Sequence, residues 1–152
     1  MKSIKMGLFI LVVCLRWGFV AQNLLAQTSL SMPDTTVHVS DTLSYPIYLN
    51  VGQNDELYGI GFELMYDSLQ FDLVEVITEG TLTKLDGAFS AVNIQGNEVF
   101  YSLAATNSIQ ESGGLLILKL RPKSARIGQI EITKHQFNEL AVQTVAIRSN
   151  VV

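Results

Sequence analysis

Cysteine and tryptophan are nearly absent from this sequence. The chain of 152 residues has one of each, Cys14 and Trp17, and both lie in the N-terminal segment that ends at Ala26. A protein that loses this segment has no cysteine, which excludes disulfide bonds as a means of stabilisation. It has no tryptophan either, so a surface that stacks sugar rings would have to use tyrosine or phenylalanine.

The segment from Met1 to Ala26 has the pattern of a secretory signal peptide. A basic start at Lys2 and Lys5 is followed by an apolar run over residues 7–15, and Ala26 supplies a small residue at the end of the segment. We therefore predict cleavage after Ala26, a secreted or cell-surface location, and a single domain that spans residues 27–152.

Two membrane alternatives exist for the same segment. A spanning helix needs roughly 20 apolar residues, and Arg16 interrupts this run well before that length. A lipid anchor at Cys14 needs a lipoprotein signal, in which a small residue usually precedes the cysteine, whereas Val13 stands there. The sequence favours a cleaved signal and a protein that does not span the membrane. Lipidation of Cys14 stays open as the alternative that would anchor the protein.

Basic residues are scarce in the domain. Three of the ten lysines and arginines, Lys2, Lys5 and Arg16, lie in the predicted signal peptide, and none of the fourteen acidic residues does. The domain therefore carries a formal charge of about −7 with histidine neutral. No cluster of basic and aromatic residues occurs, and an acidic exported domain is a poor match for a polyanion. We therefore exclude nucleic acid as a partner.

Catalytic and metal-binding motifs are missing as well. His38 and His135 have no cysteine or histidine beside them, so neither fits a short metal-ligand spacing, and we expect both on the surface or in turns. No Gly-x-Ser-x-Gly motif occurs. Carboxylates such as Asp67, Asp72 and Glu75 could approach one another as glycosidase pairs do, but glycosidases usually have larger folds with deep clefts. We predict no enzymatic activity, no metal and no cofactor.

One loop concentrates oxygen-bearing side chains, namely Asn50, Gln53, Asn54, Asp55 and Glu56. The sequence contains no twelve-residue EF-hand calcium loop, and hence no dockerin of its own. We predict a solvated loop here, with a calcium site as the alternative.

Short strand-like runs occur throughout the domain and no long helical periodicity does. The runs cover residues 37–39, 43–51, 59–66, 73–77, 81–85, 88–94, 98–105, 115–120, 127–132 and 141–147. Turn residues separate them, a pattern typical of an all-β sandwich. Gln95-Gly96-Asn97 predicts a hairpin between the sixth and seventh of these runs. Residues 106–112 are polar and predict a loop or a short helical turn.

Alternation of side chains assigns two of these strands a buried and an exposed face. The inward residues are expected to be Ile60, Phe62, Leu64, Tyr66, Val99, Tyr101 and Leu103. The outward residues are then Gly59, Gly61, Glu63, Phe100, Ser102 and Ala104. Phe100 would be a large aromatic on an exposed face, which invites a partner. An error of one residue in the register would exchange the two faces.

In their order and spacing these segments resemble the cohesin module, the dockerin-binding β-sandwich of cellulosome scaffolds. The resemblance covers roughly residues 29–147. It rests on Asp41-Thr42-Leu43 leading into Pro46-Ile47, the strand and turn of residues 61–67, the turn at Gly80, Gly113-Gly114 before an apolar strand, and Gly128 before Ile130 and Ile132. It implies a nine-stranded jelly-roll sandwich without catalytic activity. It also implies a sheet face that binds a calcium-loaded dockerin, so that calcium comes with the partner.

The chain departs from the cohesin pattern on that face. The best-known cohesins carry an Asn and an Asp where this chain has Gly59 and Gly61, and Ala105 replaces an acidic residue that often follows a neighbouring strand. Those hydrogen bonds to a dockerin cannot be made, although Glu63 could substitute in part. The predicted partner-binding face comprises Gly59, Gly61, Glu63, Ser90, Val92, Ile94, Phe100, Ser102 and Ala104.

The sequence thus predicts an exported docking module that binds a dockerin-type partner in the assembly of polysaccharide-degrading or cell-surface proteins. The alternative is direct polysaccharide binding by the same sandwich, with Tyr48 and Tyr58 as the sugar platform. A third interpretation is a structural module from a larger gene, because the chain ends at Val151-Val152 without an anchor or a second domain.

Overall fold

The computed structural model describes residues 27–140 and 147–152, which form nine strands and one short 3-10 helix. The strands are β1 (Ser29–Ser31), β2 (Leu43–Asn50), β3 (Leu57–Tyr66), β4 (Phe71–Ile77), β5 (Ala88–Gln95), β6 (Glu98–Ile109), β7 (Gly113–Pro122), β8 (Gly128–Phe137) and β9 (Ile147–Val151). The 3-10 helix, Leu82–Lys84, lies between β4 and β5.

The strands form two antiparallel sheets. The four-stranded sheet has the order β1-β2-β7-β4, and the five-stranded sheet has the order β5-β6-β3-β8-β9. Apolar side chains from both sheets are buried between them, as in a sandwich. The predicted all-β, nine-stranded jelly-roll fold is confirmed. We call the side of the five-stranded sheet that is turned away from the four-stranded sheet its outer face.

The core follows the alternation that the sequence predicts. All seven expected inward residues of β3 and β6 are buried, and the rings of Phe62 and Tyr101 stack with their centroids 4.9 Å apart. Opposite them lie the buried leucines of β7, among them Leu116, Leu118 and Leu120. Each of these side chains removes apolar area from water and contributes about 1.5–3 kcal/mol to stability.

Two prolines lie on the side of the four-stranded sheet, Pro46 within β2 and Pro33 between β1 and β2. Pro46 pairs with Ile117 of β7, but β1 ends opposite Tyr48, so no strand in the described chain needs the N–H that proline lacks. The carbonyl of Pro33 accepts hydrogen bonds from the Tyr45 hydroxyl at 2.9 Å and from the Ser149 hydroxyl at 2.7 Å. One carbonyl therefore joins β2 of the first sheet to β9 of the second.

Residues 81–85 are predicted as a strand, and this prediction is wrong. They contain the 3-10 helix, because the Thr81 hydroxyl donates to the Thr78 carbonyl at 2.6 Å and accepts a hydrogen bond from the Thr83 N–H. Threonine side chains that bond to their own backbone in this way compete with strand pairing.

Several strand limits also differ from the prediction. Residues 37–39 form no strand, and β1 lies further upstream. Residues 106–109 extend β6 instead of forming a loop, since Ile109 pairs with Leu57 of β3. His135, expected on the surface, is buried in β8 because it pairs with the inward residue Phe62. Of the predicted strand 141–147, only Ile147 is described, and it begins β9.

The predicted signal peptide, residues 1–26, lies outside the described residues. In the described part of the chain, no helix has the length and apolar character needed to cross a membrane.

Candidate functional site

Six of the nine predicted face residues meet on the outer face as three cross-strand pairs. Residues that pair directly in an antiparallel sheet point to the same side. The pairs between β3 and β6 are Gly59 with Ala104, Gly61 with Ser102, and Glu63 with Phe100. These six residues of β3 and β6 therefore share the outer face, and the buried residues that alternate with them point into the sandwich.

The placement of Ser90, Val92 and Ile94 on this face is wrong. They pair with Leu103, Tyr101 and Val99, all of which point into the sandwich, so they lie on the inner side of β5. The residues of β5 that share the outer face are Phe89, Ala91 and Asn93. The sequence already contained the information needed to place these residues correctly. A two-residue turn at Gly96-Asn97 pairs Gln95 with Glu98, and this first pair sets the register of all the other pairs between β5 and β6.

Small residues form the floor of the outer face. Ala91, Ser102 and Gly61 lie side by side on β5, β6 and β3, and the pair of Gly59 and Ala104 continues the floor along the strands. Neither glycine is required by the backbone. A Cβ atom at Gly59 or Gly61 would make only ordinary contacts, none closer than 3.7 Å, and neither has a positive φ. The consequence of the two glycines is that no side chain covers the backbone of β3 at these positions on the outer face.

One end of the floor is bounded by an aromatic ring and an ion pair. Phe100 is half-buried, and beside it the Lys134 ammonium of β8 lies 2.8 Å from the Glu63 carboxylate. The hydrogen bond to Glu63 and the charge of that carboxylate raise the pKa of Lys134. Gln136 pairs with Gly61 and completes a depression of about 210 Å³. Sequence reasoning missed Lys134 and Gln136 because it ended this strand at residue 132.

The opposite end of the floor is held by Asn138. Its side-chain oxygen accepts hydrogen bonds from the Tyr58 and Gly59 N–H groups at 2.6 and 3.1 Å, and its side-chain nitrogen donates to the Glu56 carbonyl at 2.8 Å. Asn138 has a φ of 53°, in the left-handed region that asparagine tolerates better than most residues. It thereby fixes the bulged start of β3 beside a second depression of about 720 Å³, which Leu140 also lines.

The aromatic residues are not placed as the sugar-platform prediction requires. Tyr58 is 44% exposed on the five-stranded sheet, whereas Tyr48 projects from the far side of the four-stranded sheet. The whole sandwich separates them, so they cannot hold one sugar chain together. Phe89, which sequence reasoning missed, is 72% exposed and pairs with Ala104, so it shares the outer face with Tyr58.

The oxygen-rich loop of residues 50–56 uses its central carboxylate for structure. Asp55 accepts hydrogen bonds from both the N–H and the hydroxyl of Thr28, and these bonds lower the pKa of Asp55. The Thr28 hydroxyl in turn accepts from the Gly52 N–H at 2.9 Å. Across residues 27–140 and 147–152, no group of three or more His, Cys, Asp or Glu side chains is placed to hold a metal ion.

Comparison with solved structures finds cohesin modules. A type I cohesin–dockerin complex from Clostridium thermocellum matches with a TM-score of 0.65 at 12% identity, over 83% of this chain and 98% of the other. A non-cellulosomal cohesin from the archaeon Archaeoglobus fulgidus gives 0.65 at 16% identity, over 84% and 92%. A cohesin module of a family 33 glycoside hydrolase from Clostridium perfringens gives 0.52 at 16% identity, over 84% and 98%.

The sequence itself matches no protein-family model and no curated protein. The likeness therefore lies in the fold, and the resemblance seen in the sequence rests on the order and spacing of the same strands. This protein has the fold of the cohesin modules.

Proposed function

We propose that this protein is an exported, non-catalytic docking module that binds a dockerin-type protein on the outer face of its five-stranded sheet. The observation that carries the proposal is the low floor of Gly59, Gly61, Ser102 and Ala104, bounded by Phe100 at one end and by Tyr58 at the other. The cohesin–dockerin complexes among the solved structures support a protein partner.

The dimensions of the floor suit a helix of the partner. Neighbouring strands lie about 4.8 Å apart, so three of them span about 10 Å. This is close to the diameter of an α-helix with its side chains, about 10–12 Å. Since Ala91, Ser102 and Gly61 carry at most two side-chain heavy atoms each, a helix could approach the sheet backbone closely. Shape complementarity of this kind supports affinity without many hydrogen bonds.

Apolar contact and charge at Phe100 would supply the specificity. The hydrogen bonds that the resemblance implies at Gly59 and Gly61 cannot form, so the partner has to be recognised by other groups. Phe100 is the largest apolar side chain among the predicted face residues, and the Glu63–Lys134 pair offers one charge of each sign beside it. We expect Phe100→Ala to cost roughly 2 kcal/mol or more of binding free energy, as at an interface hot spot.

The test compares one substitution on two faces. Gly61→Tyr raises a bulky side chain from the floor, and Gly114→Tyr makes the same change on the far sheet, where a Cβ meets nothing within 4 Å. Dockerin-bearing proteins captured from the producer's culture fluid are identified by mass spectrometry, and binding is then measured by calorimetry. We expect Gly61→Tyr to weaken binding roughly tenfold or more, about 1.4 kcal/mol, and Gly114→Tyr to leave it unchanged.

Dependence of binding on calcium distinguishes a dockerin from other partners. The resemblance implies that calcium is held by the partner, so chelation should abolish binding while the melting temperature of this protein alone stays the same. Binding that survives chelation, or that is lost equally with the two tyrosine variants, would reject the proposal.

Export is the other part of the proposal. The basic start, the apolar run and Ala26 support cleavage between Ala26 and Gln27. Mass analysis of the secreted protein should find Gln27 at its N-terminus. An intact Met1 on a cytoplasmic product would contradict export, and a lipid on Cys14 would favour the anchored alternative.

Direct polysaccharide binding is the second candidate, and one observation favours it. Tyr58 and Phe89 are both exposed on the outer face, on either side of the Gly59–Ala104 pair. Aromatic side chains so placed can stack on sugar rings. In affinity electrophoresis, a polysaccharide that retards the wild type but not Tyr58→Ala, with Tyr48→Ala as the control, would support this function in place of docking.

A further inference from the structure

Three of the four sheet edges are protected against pairing with another strand. β1 has only three residues, and β4 carries Asp72 and Glu75 with a bulge between Leu73 and Glu75. β9 is covered by the chain beside it: Thr35 N–H donates to the Asn150 carbonyl at 3.3 Å, and Val152 N–H donates to the Thr35 carbonyl at 3.1 Å. Short length, charge, bulges and coverage are the usual means by which proteins block such edges.

The fourth edge, β5, has none of these features. Its eight residues, Ala88–Gln95, include no charge and no proline, and they pair with β6 without a bulge. No strand in the described chain lies on its other side. The inner-side residues Val92 and Ile94 are 36% and 49% exposed, because β5 is not covered by the opposite sheet. Long, regular and uncharged edges of this kind are templates for a further strand.

The free hydrogen-bonding groups of β5 can be assigned. Thr106 N–H donates to the Gly87 carbonyl at 3.0 Å, which shows that Gly87 directs its backbone toward β6. Because backbone direction alternates along a strand, Phe89, Ala91 and Asn93 also bond to β6. The N–H and C=O groups of Ser90, Val92 and Ile94 then point away from the sheet. A strand that bonds to this edge would pair with those three residues.

We propose that β5 is the contact between two copies of this chain, which pair antiparallel about a twofold axis at Val92. Val92 then lies opposite Val92 of the second copy, and Ser90 opposite Ile94. The four Val92 and Ile94 side chains of the two copies pack as neighbours across the new pair, which stabilises it. The interface is self-complementary, as a twofold contact must be.

The absence of charged residues from β5 favours this edge as the contact between two copies. The domain has a formal charge of about −7, so two copies repel each other over most of their surfaces. β5 is a strand without charge, so pairing there places no like charges opposite each other. Two five-stranded sheets become one continuous sheet, and both outer faces lie on its same side. A dimer of this kind would present two adjacent docking surfaces to a bivalent partner.

Sedimentation equilibrium with matched lysine variants tests the proposal. Val92→Lys places two lysines opposite each other in the dimer, whereas Val74→Lys makes the same change at an exposed valine of the β4 edge. We expect a concentration-dependent wild-type dimer, a Kd raised roughly tenfold or more by Val92→Lys, and no change with Val74→Lys. If Val92→Lys fails to fold, as judged by circular dichroism, Ile94→Lys replaces it.

Hydrogen exchange gives a second, independent result. In the wild type, the N–H groups of Ser90, Val92 and Ile94 should become more protected as the protein concentration rises, while those of β4 should not. A wild type that stays monomeric at every concentration would overturn the proposal. So would a dimer that Phe100→Ala weakens and Val92→Lys does not, because that dimer would use the outer face. Neither result depends on whether a dockerin binds.

Discussion

The Lys134 ammonium lies 2.8 Å from the Glu63 carboxylate and joins β8 to β3 across the outer face. Both side chains are substantially exposed, so the pair contributes little to the stability of the fold. Its position matters more, because it stands beside Phe100 at the end of the small-residue floor. It is therefore a feature of the surface on which we propose that the partner binds.

Neighbouring residues of β3 should differ greatly in their effect on stability. Phe62 is buried against the ring of Tyr101, and Phe62→Ala should cost about 3–5 kcal/mol of unfolding free energy. Glu63 points to the outer face, and Glu63→Ala should cost less than about 1 kcal/mol. Denaturant melts of the two variants measure the difference, and equal losses would show that the strand register is wrong.

Gly61→Ala should stabilise the protein. Glycine in the interior of a strand costs about 0.5–1 kcal/mol relative to alanine, and the new Cβ at Gly61 would make only an ordinary contact with the Tyr101 carbonyl. Gly87 is the control. It has a φ of 75°, and a Cβ there would clash with the Thr106 hydroxyl, so Gly87→Ala should cost about 1–2 kcal/mol or more. Thermal melts that rank the variants in the reverse order would contradict this account.

The hydroxyls of Tyr101 and Tyr45, two of the buried tyrosines, should respond differently to removal. The Tyr101 hydroxyl is buried and has no hydrogen-bond partner among the described residues, and burial raises the pKa of Tyr101. Tyr101→Phe should therefore be neutral or stabilising. The Tyr45 hydroxyl donates to the Pro33 carbonyl, and burial raises the pKa of Tyr45 to about 12. Tyr45→Phe should cost about 1 kcal/mol, measured by the same denaturant melts.

Acid should weaken the contact between Asp55 and Thr28. The hydrogen bonds from Thr28 lower the pKa of Asp55 below its usual 3.8, so the unfolded state binds the proton more readily. The stabilisation is fully present above about pH 5 and is lost as the pH falls through the lowered pKa. The difference in unfolding free energy between the wild type and Asp55→Asn should thus shrink below about pH 4. A difference that does not change with pH would show that Asp55 makes no such contact.

The amino-acid sequence by itself determined which residues of β3 and β6 form the core. Ile60, Phe62, Leu64 and Tyr66 recur at a period of two, and a strand buried on one side admits only one assignment of such residues. The six outward residues of these strands follow from the same alternation. The cohesin-like order of the strands was also visible, because the turn at Gly96 and the glycines that begin β7 and β8, Gly113 and Gly128, separate the runs.

The tertiary structure alone decided which neighbours complete the outer face. Lys134 and Gln136 reach it because β8 pairs with β3 from Ile60 to Tyr66, and no local pattern encodes a pairing between residues so far apart in the chain. Strand pairing also places Tyr48 and Tyr58 in different sheets. Alternation along a strand shows which residues share a face, but it does not show to which sheet the strand belongs. The position of β5 has the same origin: the sequence placed Val92 and Ile94 on the outer face, but pairing with β6 puts them on the inner side, where they remain 36% and 49% exposed.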